Sequence, residues 1–177
     1  MDLKELGAYL FEDMHDLLRI ETLDWYDSAA DDPHYRRWLD TGRVEMNDTW
    51  RAWLDRIQRD TAAGITWRRV HIITEPLTDY LRFELGVQYV ANAKAGEQIR
   101  IINAPDEARA GWRDFFVVNG GRVAVSTYGT TGKFQYADAP RDATDWAQWG
   151  RALWDAGVPF AQWWADRPQY HAHRRAA

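Results

Sequence analysis

The chain has 177 residues, of which 46% are hydrophobic and 28% charged, and its formal net charge is −5. This length and composition predict one globular domain with an ordinary core, and they exclude disordered, collagen-like and low-complexity classes. Because the sequence contains no cysteine, it can form neither a disulfide framework nor a thiolate metal site, and it has no thiol nucleophile.

The first third of the chain is predicted to be mainly helical. Apolar side chains recur at helical spacing over residues 3–18, and residues 19–21 leave this helix in an extended alternation. A loop follows, and we expect a short helix between Pro33 and Gly42. A longer helix is predicted over residues 48–63, with Trp50 and Trp53 on the side that faces the core.

The remainder of the chain alternates between strand and helix patterns. Residues 65–74 and 98–103 predict two strands, joined by a helix from Pro76 to Ala93. This strand, helix and strand occupy about 40 residues, a length typical of a right-handed crossover between parallel strands. The patterns then predict three antiparallel strands, with a tight turn at Asn119-Gly120, and a tryptophan-rich helix over residues 144–156.

These elements predict an α+β fold. We expect a mixed sheet of about five strands with one parallel β-α-β crossover, an antiparallel meander and helices at both termini. A single domain is predicted over residues 1–167, followed by a flexible polar tail over residues 168–177. No signal peptide and no apolar run of 18 residues occurs, so we expect a cytoplasmic protein without a membrane partner.

The helix predicted to begin at Pro76 carries the most informative candidates. On a helical wheel, Glu84 falls inside an apolar arc together with Tyr80, whereas Arg82 lies opposite and is expected to face water. A buried carboxylate needs a partner, so we expect Arg69 or His71 on the preceding strand to pair with Glu84. Glu84 is therefore interpreted either as half of a structural ion pair or as an acid that contacts a ligand.

Other polar residues stand at the ends of the predicted strands. Glu75 and Asn103 follow the two parallel strands, at the edge where open α/β sheets bind ligands. A structural alternative exists for each, because Glu75 could serve as a helix-cap acid and Asn103 as a turn residue. Arg19 and Glu21 would share one side of the chain, where they could pair or Arg19 could hold an anion, and Tyr26 would close over the same region.

Known catalytic and cofactor motifs are missing from the sequence. No nucleophile elbow, phosphate-binding loop, dinucleotide glycine triplet or His-Glu-x-x-His pattern occurs. The Gly129 to Lys133 turn leads into a strand and not a helix, and His171 and His173 lack a third ligand nearby. We therefore expect no cofactor and no metal, and we assign no catalytic residue.

The run Glu-Pro-Leu-Thr-Asp-Tyr-Leu-Arg-Phe-Glu-Leu at residues 75–85, with residues 19–21 upstream and 95–97 downstream, resembles a known family. It is similar to an uncharacterised actinobacterial domain of unknown function that is often encoded beside helix-turn-helix regulators. The resemblance covers most of residues 6–165. It implies a cytoplasmic single-domain protein without an assigned activity, and it implies these motif positions: Arg19, Glu21, Glu75, Pro76, Tyr80, Arg82 and Glu84.

Three function classes follow from these observations. The leading hypothesis is a non-enzymatic accessory or sensory domain in transcriptional regulation, which binds a helix-turn-helix regulator protein or a small ligand. The alternative is a small enzyme that uses Glu75 or Glu84 as general acid or base. Nucleic-acid binding by aromatic stacking is a third hypothesis, which the acidic charge disfavours. The candidate binding residues are Arg19, Glu21, Tyr26, Arg69, His71, Glu75, Tyr80, Arg82, Glu84 and Asn103.

Overall fold

The computed structural model describes residues 1–27 and 33–171, and a seven-stranded mixed sheet is its centre. The strands are β1 (Asp16–Glu21), β2 (Thr66–Ile73), β3 (Gln98–Asn103), β4 (Phe115–Val118), β5 (Arg122–Tyr128), β6 (Phe134–Asp138) and β7 (Val158–Pro159). Their order in the sheet is β6-β5-β4-β1-β2-β3-β7. The pairs β1-β2 and β2-β3 are parallel, whereas β4, β5, β6 and β7 join by antiparallel pairing.

Helices cover both faces of this sheet. They are α1 (Leu3–Phe11), α2 (Pro33–Thr41), α3 (Asp48–Ala62), α4 (Asp79–Phe83), α5 (Val90–Ala95), α6 (Asp106–Arg109), α7 (Ala143–Ala156) and α8 (Phe160–Ala165), with a π-helical segment (Glu84–Tyr89) that joins α4 to α5. Helix α7 packs on the face that carries Leu18, Ile20, Val70 and Ile72. The opposite face of β1 and β2 is covered by α1, α3 and the α4 to α5 helix.

The mixed α+β fold with helices at both termini is as expected, but the sheet has seven strands and not five. The two additional strands are β1 and β7. The predicted first helix over residues 3–18 is wrong in its second half, because α1 ends at Phe11 and β1 begins at Asp16. Apolar residues at 17 and 18 continue the helical spacing of α1, which hides the change to a strand.

The predicted crossover between β2 and β3 is present, although its helix begins later than expected. The Glu75–Pro76 peptide bond is cis, and Thr78 is the N-cap, its side chain accepting a hydrogen bond from Leu81 N. The helix ends at Ala95, two residues after the expected Ala93, and Gly96 follows it with φ of +115°. A second parallel crossover, which contains α2 and α3, joins β1 to β2.

The first residues of the predicted polar tail pack against the domain. Residues Pro168–Tyr170 form one 3-10 turn, the Tyr170 hydroxyl accepts a hydrogen bond from Leu77 N at 3.4 Å, and the His171 ring stacks on Trp164. Residues 172–177, which include His173, lie outside the described residues, so the flexible tail stays a prediction there. Within the described ranges, no helix has the length and apolar character needed to cross a membrane.

Candidate functional site

A cavity of about 650 Å³ lies between the sheet and the helices that cover β1 and β2. Its floor includes Arg19, Glu21 and Arg69 from the two parallel strands. These side chains share one face because side chains two residues apart along a strand point the same way, and the register aligns Arg19 with Arg69.

Helical residues and aromatic rings form the walls of the cavity. Glu84, Gln88 and Asn92 stand at intervals of four residues and present one face of the helix to the cavity. Trp50 and Trp53 of α3 border it too, although the sequence assigned them to the core. Further aromatic walls are supplied by Tyr26, Tyr80, Tyr128 and Phe134.

The floor contains a buried network of ion pairs. Arg19 Nη2 lies 2.6 Å from Glu21 Oε1, and Arg69 Nη1 lies 2.8 Å from Glu21 Oε2. Arg69 Nε donates to Glu97 Oε1 at 2.9 Å, and Asn92 Nδ2 donates to Glu97 Oε2 at 2.8 Å. Burial opposes ionisation of Glu21, but the two arginines outweigh it and hold the pKa of Glu21 far below its ordinary value.

His71 lies beneath this network and joins it through a tyrosine. The His71 Nε2 atom is 2.9 Å from the carbonyl oxygen of Leu23, so Nε2 carries a hydrogen. The Tyr89 hydroxyl is 2.7 Å from His71 Nδ1 and 2.6 Å from Glu21 Oε2. Burial lowers the pKa of His71 and favours the neutral imidazole. Because one hydroxyl proton serves two acceptors, Tyr89 couples the protonation of Glu21 to that of His71.

Glu84 is the acid in this site without a strong cationic partner of its own. Its Oε1 atom accepts from the Tyr80 hydroxyl at 3.3 Å. Its Oε2 atom is buried, makes no hydrogen bond and lies 3.5 Å from His71 Nδ1. Burial, together with the ionised Glu21 nearby, raises the pKa of Glu84 to about 8, so the carboxyl group is mostly protonated near neutrality.

A second buried acid, Asp114, supports one wall of the cavity. The Tyr26 hydroxyl donates to Asp114 Oδ2 at 2.6 Å, and the backbone N and hydroxyl of Thr22 both donate to Oδ1 at 2.8 Å. Burial raises the pKa of Asp114 to about 6 in spite of these donors. Asp114 therefore fixes the position of the Tyr26 ring.

The acidic and histidine side chains of the site do not fit a metal ion. Ligand atoms of Glu21, His71 and Glu84 all lie within 4.8 Å of one another. However, both carboxylate oxygens of Glu21 already contact arginine side chains, and His71 Nδ1 contacts Tyr89. A divalent cation would have to displace these contacts and would be repelled by Arg19 and Arg69.

The cavity brings together most of the residues that the sequence singled out. Arg69 was expected to pair with Glu84, but it pairs instead with Glu21 and Glu97, and His71 lies beside Glu84. The candidate residues that line the cavity are Arg19, Glu21, Tyr26, Arg69, Tyr80 and Glu84, and His71 contacts them from below.

Arg82 is a correction, because it is buried and does not face water. Its Nη1 atom lies 3.6 Å from Asp79 Oδ1. The wheel left this side of the helix open to solvent, but α2 packs against α4, where Tyr35 and Trp38 contact the neighbouring Phe83. The contact between α2 and α4 depends on tertiary packing that periodicity does not reveal.

Glu75 and Asn103 meet as expected at the carboxyl ends of β2 and β3, but they do not line the cavity. Arg167 holds Glu75 through Nε and Nη2 at 3.0–3.1 Å, and Asn103 accepts from Trp163 Nε1 at 3.0 Å. Burial opposes ionisation of Glu75, yet the hydrogen bonds and charge of Arg167 lower its pKa. This cluster fastens α8 and Arg167 to the sheet.

Sequence reasoning did not assign several residues of the site. Gln88 lies four residues after Glu84 and so falls in the same apolar arc of the helical wheel, where a polar side chain was a usable signal. Tyr89, Asn92 and Glu97 carried no comparable signal, because their roles depend on partners far away in the chain. Tyr128 stands in a predicted hairpin region, where an aromatic residue is ordinary.

None of the curated proteins matches the chain. A family model matches it over residues 4–165, which include all of the residues that line the cavity except Leu3. The chain therefore belongs to the family described as Domain of unknown function (DUF6879).

Proposed function

We propose that this domain binds a small organic molecule in the cavity and acts as a sensory domain. The observation that carries the proposal is the cavity itself, whose volume of about 650 Å³ is within the range of small-molecule sites. Its aromatic walls offer apolar contact area, and its buried charged floor offers a few fixed polar groups. This combination is typical of sites that orient a ligand.

The arrangement of the floor favours binding over catalysis. Glu21 is held by two arginines and by Tyr89, and Arg69 is held by two carboxylates. Groups with so many fixed partners serve to preorganise a site, since moving them would leave buried charges unpaired.

A substitution that fills the cavity tests the proposal. Gln88 lines the cavity, so Gln88→Trp should occupy part of its volume, whereas Ala93→Trp on the same helix is a matched control at an exposed position. A charge-balanced library of small amines, alcohols and carboxylates is screened by the shift in Tm that each compound causes. We expect stabilising compounds whose effect is lost in Gln88→Trp and kept in Ala93→Trp. A library without any stabilising compound, or equal effects in both variants, would contradict the proposal.

Catalysis by Glu84 is a second candidate, favoured by one observation. A carboxyl group with a pKa of about 8 beside a cavity can exchange a proton near neutral pH, as a general acid or base must. Mass spectrometry of each bound compound after incubation would detect chemical conversion. Conversion by the wild type that is abolished in Glu84→Gln would establish an enzyme, and recovery of unchanged compounds would leave the sensory function.

The cellular location, the origin and the partner protein of this chain are predictions from its sequence. An actinobacterial origin and a helix-turn-helix regulator as partner rest on the resemblance described above, and a cytoplasmic location rests on it and on the sequence pattern. Co-purification of the tagged chain from its host, followed by mass spectrometry, tests the partner, and a recurring DNA-binding protein is the expected result.

A further inference from the structure

Two side chains that line the cavity each carry a buried oxygen atom without a hydrogen-bond partner. Glu84 Oε2 and Asn92 Oδ1 make no hydrogen bond, and their residues are only 4% and 5% exposed. The orientation of the Asn92 amide follows from its neighbour, because Nδ2 donates to the Glu97 carboxylate, which leaves Oδ1 towards other groups. Buried acceptors of this kind are costly unless a donor reaches them.

The buried ion-pair network and Glu84 together contain three glutamates but only two arginines. Arg19 and Arg69 are matched by Glu21 and Glu97, which leaves Glu84 as a third glutamate without an arginine of its own. These five side chains carry one net negative charge when Glu84 is ionised and none when it is protonated, and Asp114 behind Tyr26 adds a further negative charge above its pKa of about 6. A ligand with one positive charge would restore neutrality with Glu84 ionised.

We propose that the ligand is an organic cation, a primary ammonium or guanidinium group on an aromatic or apolar body, whose positive group binds Glu84. This inference rests on the proposed function, because it assigns the chemical class of the same ligand. The N–H donors of such a group suit the two unpartnered acceptors, and the aromatic walls suit both the cation and its apolar body. An anionic ligand would bring a further acceptor to a site that already has acceptors in excess.

Binding of such a cation releases a proton. The protonated Glu84 carboxyl group gives its proton to solvent, and the carboxylate that remains pairs with the ligand, whose own positive charge is unchanged. Other titratable groups surround Glu84 and the cavity, and Asp114, which accepts a hydrogen bond from Tyr26, has a pKa of about 6. These groups are Arg19 and Glu21 on β1, Arg69 and His71 on β2, Tyr80 and Tyr89 on the helix, Glu97 before β3, and, around the cavity, His34, Tyr26 and Tyr128.

Three compounds with the same indole-ethyl body test the charge of the ligand. Tryptamine is cationic, tryptophol is neutral and indole-3-propionate is anionic, and their binding is measured by isothermal titration calorimetry at pH 7. We expect tryptamine to bind about tenfold or more tightly than tryptophol, since its ammonium group pairs with a buried carboxylate. Titrations in buffers of different ionisation enthalpy should show the release of close to one proton, and the affinity should rise between pH 6 and pH 8.

Two variants locate the effect within the chain. Glu84→Gln should weaken tryptamine binding about tenfold and abolish proton release, whereas Glu107→Gln removes an exposed carboxylate and should change neither. Proton release by the wild type needs no variant, so the test does not depend on the folding of Glu84→Gln.

The possible failures are distinguishable. Absence of tryptamine binding, equal or tighter binding of tryptophol or indole-3-propionate, or binding without proton release would overturn the cation inference. In each case a library compound whose stabilising effect disappears in Gln88→Trp would leave the proposed function standing. If the library also yields no such compound, the proposed function fails as well.

Discussion

Glu84 is a buried carboxyl group whose protonation should affect the stability of the fold. Its pKa rises from 4.5 to about 8 on folding, so the folded state binds the proton more tightly than the unfolded state. This contribution to stability is fully present below about pH 4.5 and is lost as the pH rises towards 8. As the pH rises from about 4.5 to 8, the deprotonation of Glu84 alone therefore lowers the free energy of unfolding by up to about 1.4 kcal/mol per pH unit.

Replacement by glutamine should remove this pH dependence, because glutamine resembles the protonated acid in shape and carries no charge. We expect Glu84→Gln to be within about 1 kcal/mol of the wild type at pH 5 and more stable than it by on the order of 4 kcal/mol at pH 9. Urea denaturation at several pH values measures this difference. Glu107→Gln serves as the control, and a wild-type pH profile retained in Glu84→Gln would contradict the assignment.

Tyr26 and Asp114 form the other buried pair with a pH signature. Above the Asp114 pKa of about 6 the Tyr26 hydroxyl donates to a carboxylate, and such charge-assisted hydrogen bonds are the stronger kind. Tyr26→Phe should therefore lower the free energy of unfolding by about 2 kcal/mol at pH 8 and by about 1 kcal/mol at pH 5. Guanidinium denaturation at both pH values checks this. The exposed Tyr136 offers a control, since Tyr136→Phe should lose little at either pH.

The elements that could be predicted are those whose signals are local. The Asn119-Gly120 turn adopts positive φ at both residues, as its sequence requires, and the crossover between β2 and β3 has the expected order. Strand β1 could not be separated from α1 because Leu17 and Leu18 fit both periodicities. The π-helical segment at Glu84–Tyr89 has no signal in the sequence, and it changes which side chains face the cavity.

Two glycines end helices before parallel strands and allow a matched comparison. Gly64 follows α3 and Gly96 follows α5, with φ of +86° and +115°. A Cβ atom at position 64 would meet nothing within 4 Å, whereas one at position 96 would lie 2.7 Å from Thr61 Oγ1. That hydroxyl is held by a hydrogen bond to Ile57 O. An alanine at position 64 would therefore cause backbone strain alone, whereas an alanine at position 96 would cause backbone strain and a steric clash.

We expect Gly64→Ala to lower the free energy of unfolding by about 1–2 kcal/mol, the cost of a left-handed alanine. Gly96→Ala should cost about 1–3 kcal/mol more, because Thr61 must move and α3 with it. Thermal and urea unfolding of both variants give the difference. An equal loss of unfolding free energy in the two variants would show that α3 can move away from α5 without destabilising the fold.

The site as an assembly could not be predicted, because its members come from distant parts of the chain. Arg19, Arg69 and Glu97 are separated by many residues, and they meet only through the register of β1, β2 and β3. The sequence showed that Glu84 is buried, but the partner of Arg69 depends on which acids the sheet brings to one face. The cavity itself depends on how α3 and the α4 to α5 helix share that face of the sheet, which no local pattern specifies.

Besides the buried Phe160 and Trp163, residues 160–170 are joined to the sheet through Glu75, and this contact should contribute to their local stability. Arg167 binds both oxygens of Glu75 and lies over the Trp163 ring at 4.1 Å. Since the pair is partly exposed, Arg167→Gln should cost about 1 kcal/mol or less globally. It should nevertheless speed amide hydrogen exchange across residues 160–170, because that segment opens without unfolding the sheet.

The same ion pair should respond to acid. Because the pKa of Glu75 is lowered on folding, the stabilisation by the Glu75–Arg167 pair is lost as the pH falls below about 4.5, so acid should raise exchange in the wild type towards that of Arg167→Gln. Arg151→Gln on the exposed face of α7 is the control, and unchanged exchange in Arg167→Gln would mean that apolar packing of α8 alone holds the segment.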